Sequence, residues 1–280
     1  MSLSNTVKLV ATDLDGTLLQ DDKSISEADI ATLNFLGEKK IVRVAATGRN
    51  MHKVFEVLPE ETPFDYIVFS SGAGVYDWKE KKLLVSEHFE TKISQAICHF
   101  LIGRKLNFFA FLPIPENNLF QYYRGAGACD DFDDYLSRHI GSYSMLNEEN
   151  IPVQTGQFMA IISNDGELFE SIKSELEQEC SGIRVIRTTS PVDTRYLWLE
   201  VFPDSVSKGH GLKWLCDYLK IPYDQTVGIG NDFNDQDMFD FVKQPYLLGN
   251  SPAALISLFP SVSETNDQSG FSKVIGLLGI

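Results

Sequence analysis

The sequence predicts an α/β protein with a central parallel sheet, interrupted by one inserted module of mixed structure. Both ends of the chain alternate short apolar strands with amphipathic helices across short polar joins, which is typical of a parallel sheet with helices on both faces. The middle of the chain loses that alternation and mixes strands and helices in α+β order. We therefore predict a core domain at residues 1–82 and 203–280, and an inserted domain at residues 83–202.

The first stretch of the chain supplies three strands and two helices of the predicted core. Residues 7–12 are short, mostly apolar and followed by Asp-Leu-Asp-Gly, which predicts a buried strand that ends in a polar turn. Ser26 can cap a helix in which Ile30, Leu33 and Leu36 recur at helical spacing. The next predicted elements are a strand at 41–46, a helix at 51–58, a strand at 65–70 and a turn at 71–74.

The inserted module and the C-terminal stretch complete the predicted order. In the module we expect strands at 108–112, 119–123, 158–163, 184–187 and 197–202, and helices at 92–105, 131–139 and 166–180. After it we expect helices at 208–219, 234–242 and 270–278, with strands at 225–229 and 246–248. Because ligands of open α/β sheets bind beyond the carboxyl ends of the strands, polar motifs at those ends are candidates for chemistry.

Composition and charge exclude several classes of protein. Of the 280 residues, 43% are hydrophobic, which supports a sizeable core and excludes a disordered chain. The chain has 24 Lys and Arg against 39 Asp and Glu, and a net charge of −15 disfavours general nucleic-acid binding. Its four cysteines form no C-x-x-C pair, so the spacing of a zinc site is absent. The sequence begins without a signal-peptide pattern. Its apolar runs are shorter than a membrane-spanning helix. We expect a cytoplasmic protein with neither nucleic-acid nor membrane partners; its oligomeric state is left open.

The strongest chemical signal is the run Asp13-Leu-Asp15-Gly-Thr-Leu, immediately after the first predicted strand. Two carboxylates at i and i+2 beyond a strand end can point into one crevice, and Gly16 permits the tight turn that follows. Such a pair suits metal-assisted covalent catalysis, in which one carboxylate attacks and the other moves protons. Taken alone, the run is equally compatible with an exposed polar turn.

Four motifs together resemble the haloacid dehalogenase superfamily and, within it, the Cof-type sugar-phosphate phosphatases. In the family's order they are Asp13-Leu-Asp-Gly-Thr-Leu-Leu, Ala46-Thr-Gly-Arg, Val206-Ser-Lys-Gly and Gly230-Asn-Asp-Phe-Asn-Asp. The resemblance covers essentially the whole chain and implies a Rossmann-like core with an inserted α+β cap of the C2 type. It also implies a Mg²⁺-dependent phosphatase that acts on phosphate monoesters of small metabolites, sugar phosphates in particular, with the cap selecting the leaving group.

The resemblance assigns catalytic roles to three residues. Asp13 matches the nucleophile that takes the phosphoryl group as an aspartyl-phosphate. Asp15 matches the general acid/base, and its peptide carbonyl matches a metal ligand. Lys208 matches the cation that holds Asp13 and the phosphoryl oxygens together and offsets their repulsion.

The resemblance also implies phosphate-binding residues. Thr47 matches a hydroxyl that hydrogen-bonds the phosphoryl group, and the N–H of Gly48 is a further donor at a helix start. Arg49 is left with two alternatives, because it either contacts phosphate or pairs with a core carboxylate. Asn234 is expected to orient Lys208 or the phosphate.

The fourth motif departs from the family's usual Gly-Asp-x-x-Asn-Asp. Asn231 occupies the usual metal-carboxylate position, where its amide oxygen can ligate Mg²⁺ with one less negative charge. We expect Asn231 and Asp235 to flank the metal, together with Asp13 and Asp15, and Asp232 to lie close by. The alternative is a small shift of the loop that makes Asp232 itself the ligand.

Two rival functions are weighed against the phosphatase. A phosphosugar mutase returns the phosphoryl group to the sugar, and dependence on a bisphosphate activator would identify it. A non-catalytic sensor of phosphorylated metabolites would tolerate Asn231. The full set of the other motif residues argues against it: Asp13, Asp15, Thr47, Lys208 and Asp235. The motifs do not name the substrate.

Overall fold

The chain divides into two compact units. The computed structural model describes residues 7–147, 151–152, 154–190 and 192–280. The core unit comprises the chain up to Val85 and from Ser207 onward, and the inserted unit comprises Ser86–Val206. These boundaries lie a few residues beyond the predicted 82/83 and 202/203, because the strand that begins at Lys82 belongs to the sheet of the core unit.

A seven-stranded sheet runs through the described part of the core unit. With elements numbered in chain order, its strands are β1 (Leu9–Thr12), β2 (Val42–Ala46), β3 (Tyr66–Phe69), β4 (Gly74–Asp77), β5 (Lys82–Ser86), β12 (Thr226–Gly230) and β13 (Gln244–Leu247). Their order across the sheet is β13-β12-β1-β2-β3-β4-β5. The pairs from β13 to β3 are parallel, whereas β4 is antiparallel to β3. The central strand β1 therefore lies between β12 and β2, and all three end at the same edge.

Three helices of the core unit begin at a residue whose side chain caps them. The helices of this unit are α1 (Glu27–Glu38), α2 (Met51–Val57), α6 (Lys208–Leu219), α7 (Gln236–Phe241), α8 (Ala253–Ile256) and α9 (Gly270–Leu278). The side chains of Ser26, Asn50 and Ser207 accept backbone N–H groups at the starts of α1, α2 and α6. The helix predicted from residue 234 begins two residues later, because Phe233–Asp235 forms a 3₁₀ turn.

The inserted unit has its own sheet and its own core. Its strands are β6 (Asn107–Phe111), β7 (Phe120–Tyr123), β8 (Tyr143–Met145), β9 (Gln157–Ser163), β10 (Ile183–Thr189) and β11 (Tyr196–Pro203), in the order β10-β11-β9-β6-β7-β8. Its helices are α3 (Thr91–Gly103), α4 (Asp130–Arg138) and α5 (Gly166–Glu179). Because strand side chains alternate between faces, Phe108 packs with the α3 and α5 residues on one side, while Phe109 packs with Phe132 of α4 on the other.

One acidic side chain interrupts the apolar sheet of the inserted unit. Glu200 on β11 accepts a hydrogen bond from Gln157 Nε2 at Oε1 and another from Thr188 Oγ1 at Oε2, each 2.7 Å long. Burial raises the pKa of the Glu200 carboxyl, and these two hydrogen bonds offset that effect only in part. The folded protein thus favours the protonated form of Glu200 more than the unfolded chain does.

No helix within the described residues has the length and apolar character needed to cross a bilayer.

Candidate active site

The polar motifs of the core unit converge at one edge of its sheet. Asp13 directly follows β1, Thr47 follows β2, and Asn231 follows β12. Because these three strands are parallel neighbours, their carboxyl ends present the motifs side by side. Lys208, the first residue of α6, completes the group by contacting Asp13.

Lys208 bridges two buried carboxylates. Its Nζ donates to Asp13 Oδ1 at 2.7 Å and to Asp235 Oδ1 at 2.6 Å. The exposed fractions are 2% for Lys208, 4% for Asp13 and 0% for Asp235, so water does not screen the three charges effectively. The single ammonium fixes the orientation of Asp13 and partly offsets the repulsion between the two acids.

Burial and neighbouring charge shift the pKa values of this cluster. Burial raises the pKa of the Asp13 carboxyl, Lys208 opposes that effect and Asp235 adds to it, and the pKa of Asp13 reaches about 7. Burial acts to lower the pKa of Lys208, but Asp13 and Asp235 outweigh it and the pKa of Lys208 lies above its usual value. Lys208 therefore stays protonated, but its single positive charge does not fully balance the two neighbouring carboxyl groups of Asp13 and Asp235.

A glycine allows the start of α6 to approach the turn after β3. Gly72 has φ of +100°, and a Cβ built on it would lie only 2.0 Å from the carbonyl oxygen of Ser207. Any side chain at residue 72 would push away the backbone that carries Lys208. Ser207 then caps α6 by accepting the N–H of His210 at 3.0 Å, which fixes the first turn of the helix.

Asp15 is held by two cations. Arg49 contacts it twice, with Nε 2.6 Å from Oδ2 and Nη2 2.7 Å from Oδ1, and Lys23 Nζ lies 3.0 Å from Oδ1. Burial acts to raise the pKa of the Asp15 carboxyl, but the hydrogen bonds from Arg49 and Lys23 outweigh it and the pKa lies below its usual value. Of the two roles left open for Arg49, the structure shows the carboxylate pair. Lys23 was not identified from the sequence.

Thr47 and Gly48 lie beside this group. Thr47 is 1% exposed, and its Oγ1 accepts the backbone N–H of Arg49 at 3.1 Å. Because the oxygen accepts in that contact, the hydroxyl proton of Thr47 is available for a different acceptor. Gly48 is exposed and lies three residues before Met51, the first residue of α2 (Met51–Val57).

The fourth motif places Asn231 against the loop after β1. Asn231 Oδ1 accepts from Thr17 Oγ1 at 3.1 Å. Gly16, with φ of +71°, lies so close that a Cβ built on it would be 2.5 Å from Asn231 Nδ2. Asn231 is therefore packed against Gly16 and Thr17, the residues that follow Asp15. A residue that binds the same metal ion as this loop would have to lie there.

Asp235 was expected to be a metal ligand, but its side chain binds Lys208 and the backbone instead. Its Oδ1 accepts from Lys208, and its Oδ2 accepts the backbone N–H groups of Asn231 at 2.9 Å and Asp232 at 3.2 Å. These contacts disfavour Asp235 as a metal ligand, because the Lys208 ammonium takes one oxygen and two backbone N–H groups take the other, whereas the oxygen of Asn231 meets only the Thr17 hydroxyl, which can rotate away. They make it the residue that orients Lys208, a role expected for Asn234, which is exposed.

Asp232 lies at the surface. Its Oδ1 accepts the N–H of Phe233 at 2.7 Å and caps the 3₁₀ turn that leads to α7. Its side chain therefore stabilises the 3₁₀ turn. Asn231 is the residue of this motif that contacts the loop after β1.

The oxygen donors at this edge fit Mg²⁺ better than a metal that needs several protein anions. Within the part of the chain that the structure describes, no three His, Cys, Asp or Glu side chains form a metal-binding group. Mg²⁺, however, is typically held by one or two carboxylates together with carbonyls, water and substrate phosphate. The Asp13 carboxylate, the Asp15 carbonyl and the Asn231 amide are oxygen donors of these kinds, and the raised pKa of Asp13 indicates a place where added positive charge is stabilising.

Comparisons with known proteins agree with the fold and with the family resemblance. Residues 10–275 match the family described as haloacid dehalogenase-like hydrolase. The chain is 25% identical to phosphatase YwpJ of Bacillus subtilis, over 96% of this chain and 99% of that protein. It is 24% identical to the HMP-PP phosphatase of Citrobacter koseri, over 91% of this chain and 89% of that protein. Among solved structures, a sugar phosphatase of haloacid dehalogenase subclass IIB superimposes with a TM-score of 0.73 at 16% identity, covering 97% of this chain and 99% of that one.

Proposed function

The chain belongs to the haloacid dehalogenase-like hydrolase family, and from this premise we propose that it is a Mg²⁺-dependent phosphatase of small phosphorylated metabolites, sugar phosphates in particular. The observation that carries the proposal is the buried Asp13 fixed by Lys208, because a phosphoryl acceptor must be both oriented and charge-balanced. Relatives named as phosphatases and a sugar phosphatase of the same fold support it. The cytoplasmic location and the lack of nucleic-acid and membrane partners stay predictions from the sequence.

In the first step a carboxylate oxygen of Asp13 attacks phosphorus, and the bond from phosphorus to the leaving oxygen breaks. Lys208 keeps Asp13 in place and stabilises the charge that gathers on the phosphoryl oxygens. The Thr47 hydroxyl and the Gly48 N–H donate hydrogen bonds to those oxygens. Asp15, protonated once it has left Arg49 and Lys23, gives that proton to the leaving oxygen, so the products are an alcohol and an aspartyl-phosphate on Asp13.

In the second step water attacks the aspartyl-phosphate. Asp15, now ionised, takes a proton from the water, and the oxygen–phosphorus bond to Asp13 breaks to release orthophosphate. To serve in either step, Asp15 has to give up part of its pairing with Arg49 and Lys23. The observed arrangement therefore corresponds to a resting position of the acid/base residue.

The proposed metal ligands are Asp13, the carbonyl of Asp15 and Asn231. Bound there, Mg²⁺ would supply positive charge to the phosphoryl group and to Asp13. Asp232 and Asp235 are left out of this set, because the first caps a surface turn and the second orients Lys208.

Asp13→Asn tests the proposal directly. The amide keeps the shape but is not a nucleophile, so phosphate release from sugar phosphates should fall by at least about 10³-fold. Asp224→Asn, at an exposed turn far along the chain, is the matched control and should keep wild-type turnover.

Trapping completes the test. After acid quenching, the wild-type protein should carry a phosphoryl group on Asp13, and Asp13→Asn should not. Near wild-type turnover in Asp13→Asn would remove the mechanism. Isomerised sugar phosphate without phosphate release would indicate a mutase, and tight binding without turnover would indicate a sensor.

A further inference from the structure

The outer strand of the core sheet has a free edge. β5 (Lys82–Ser86) stands last in the strand order, and no strand within the described residues pairs with its outer side. Proteins usually protect such an edge with charges, proline or a bulge, because its backbone N–H and C=O groups can pair with another extended segment. β5 reads Lys-Leu-Leu-Val-Ser, with its one charge at the first residue, and its last four residues are only half-buried.

A pair of exposed aromatic rings lies on α6. Trp214 and Tyr218 are 36% and 55% exposed, and they stack with ring centroids 5.1 Å apart and planes 12° from parallel. They lie three and seven residues after Gly211, on the flank of α6 that faces β3, since a Cβ built on Gly211 would be 2.6 Å from Val68 Cγ1. The opposite flank packs on α7, where a Cβ on Gly209 would be 2.2 Å from a backbone oxygen. The aromatic pair therefore points away from α7, toward the β5 side of the sheet.

The free edge and the aromatic pair are neighbours. Leu84 and Val85 of β5 pack against the same apolar cluster as Leu212 and Leu215 of α6. Apolar side chains that adjoin one another on a surface mark an interaction site more often than single exposed residues do. We call this surface the β5 face; it consists of Leu83, Leu84, Val85, Trp214 and Tyr218.

We propose that the β5 face binds a second copy of this chain, with the two β5 strands pairing antiparallel about a two-fold axis at Leu84. An axis perpendicular to the sheet keeps corresponding faces of the two copies on the same side. Both α6 helices then lie on one face of a sheet that continues through the dimer. The two aromatic pairs approach each other across the groove between these helices and fill it.

The sequence of β5 fits pairing with itself in one register. Directly opposed residues of antiparallel strands share a face, so a two-fold axis has to pass at a residue. At Leu84, that residue meets its own copy, Leu83 meets Val85, and Lys82 meets Ser86. Every apolar residue of the strand is then opposed to an apolar residue, and the single lysine to a hydroxyl.

Charges beyond the strand agree with this register. It brings Lys81 of one copy toward Glu87 of the other, and the symmetry repeats this pair of opposite charges at both ends. Lys81 is 61% exposed and contacts only the equally exposed Glu60 in its own chain among the ion pairs of the described residues, so it can turn to a new partner. An axis at Val85 would instead oppose Leu83 to Glu87. The charge pattern thus favours a second copy over an unrelated strand.

Sedimentation velocity from about 5 to 200 μM protein tests the proposal. One short strand edge and two aromatic side chains form a small interface, so we expect a weak dimer with a dissociation constant on the order of 10 μM. About 150 mM salt screens the mutual repulsion of two chains of net charge −15. Tyr218→Lys and Leu84→Lys each place like charges in the interface and should raise the dissociation constant at least about tenfold. Leu277→Lys, at a residue of α9 that is 61% exposed, is the control and should leave it unchanged.

Cysteine cross-linking tests the register. In an antiparallel pair, directly opposed Cα atoms lie about 4.5–5.5 Å apart, which a disulfide can span. Mild oxidation should therefore link two copies of Leu84→Cys. The two copies of Val85→Cys would be offset by two residues, with Cα atoms more than about 7 Å apart, and should stay unlinked. The four native cysteines are buried and should not react.

Each result counts for or against the β5 face. Concentration-dependent dimers that both lysine substitutions weaken, at an unchanged melting temperature for Tyr218→Lys, support it. A wild-type protein that is monomeric at the highest concentration refutes it, as does a dimer that neither substitution weakens. Equal cross-linking of the two cysteine variants, or of neither, refutes the pairing at Leu84. None of these outcomes depends on the proposed phosphatase function.

Discussion

Replacing Lys208 by Met should lower both the free energy of unfolding and the turnover, and the two losses can be measured separately. Methionine keeps the volume and most of the apolar stem of the lysine, so the packing at the start of α6 is largely preserved. The change removes the ammonium that lies 2.7 Å from Asp13 and 2.6 Å from Asp235. Two acids that are 4% and 0% exposed are then left without their shared cation.

The size of the effect follows from this burial. Breaking a buried ion pair by removing one partner typically costs about 3–5 kcal/mol, because an uncompensated charge stays buried. A loss of about 3 kcal/mol lowers the melting temperature of a domain of this size by about 6–12 °C. Asp235→Asn in the same chain removes one of the two acids left without the lysine, so the double variant should recover part of the lost free energy.

Thermal unfolding in EDTA at pH 7 measures stability without a metal contribution, and phosphate release measures turnover. Lys213→Met, on the exposed side of the same helix, should change the free energy of unfolding by less than about 0.5 kcal/mol. The double variant should regain stability but stay inactive, since the cation remains absent. A Lys208→Met protein as stable as the wild type, or a double variant less stable than the single one, would refute the reasoning.

Three other changes give independent checks. Asn231→Asp should raise Mg²⁺ affinity in calorimetric titration, and Asp232→Asn should change it less; the reverse order would make Asp232 the ligand. Glu200→Gln should stabilise the protein increasingly as pH rises above about 4.5, because a raised carboxyl pKa means that the native state binds more protons and loses stability as pH rises through it. A stability difference that does not vary with pH would contradict this. Gly72→Ala should lower both melting temperature and turnover, whereas Gly276→Ala, whose Cβ would meet nothing within 4 Å, should leave turnover unchanged.

The alternating pattern of the two chain ends was enough to predict the parallel part of the core sheet. The fold class is confirmed, with a Rossmann-like core and an α+β insertion. The pattern missed the hairpin of β4 and β5, because it follows a turn in which Ser70 and Ser71 both have positive φ. A glycine-rich segment of that kind predicts a turn. Residues 74–77 become a strand because they pair with β3 in the folded sheet.

The candidate site was predictable to the extent that strand ends determine it. Asp13, Thr47 and Asn231 follow neighbouring parallel strands, so their proximity is a consequence of topology. The pairing of charges was not predictable, because it depends on side-chain directions in three dimensions. Asp235 turned out to bind Lys208, and Lys23 gave no signal because a lysine in a polar loop is ordinarily solvated.

The discontinuous core has a consequence for synthesis on the ribosome. Asp13 and Lys208 are 195 residues apart, and β1 pairs with β12 only after most of the chain has been made. The inserted unit, by contrast, is one continuous segment and can fold while the C-terminal strands are still missing, which shortens the effective loop that the core must close. A nascent chain therefore carries Asp13 for a long interval without Lys208, and the two can meet only after residue 208 has been made.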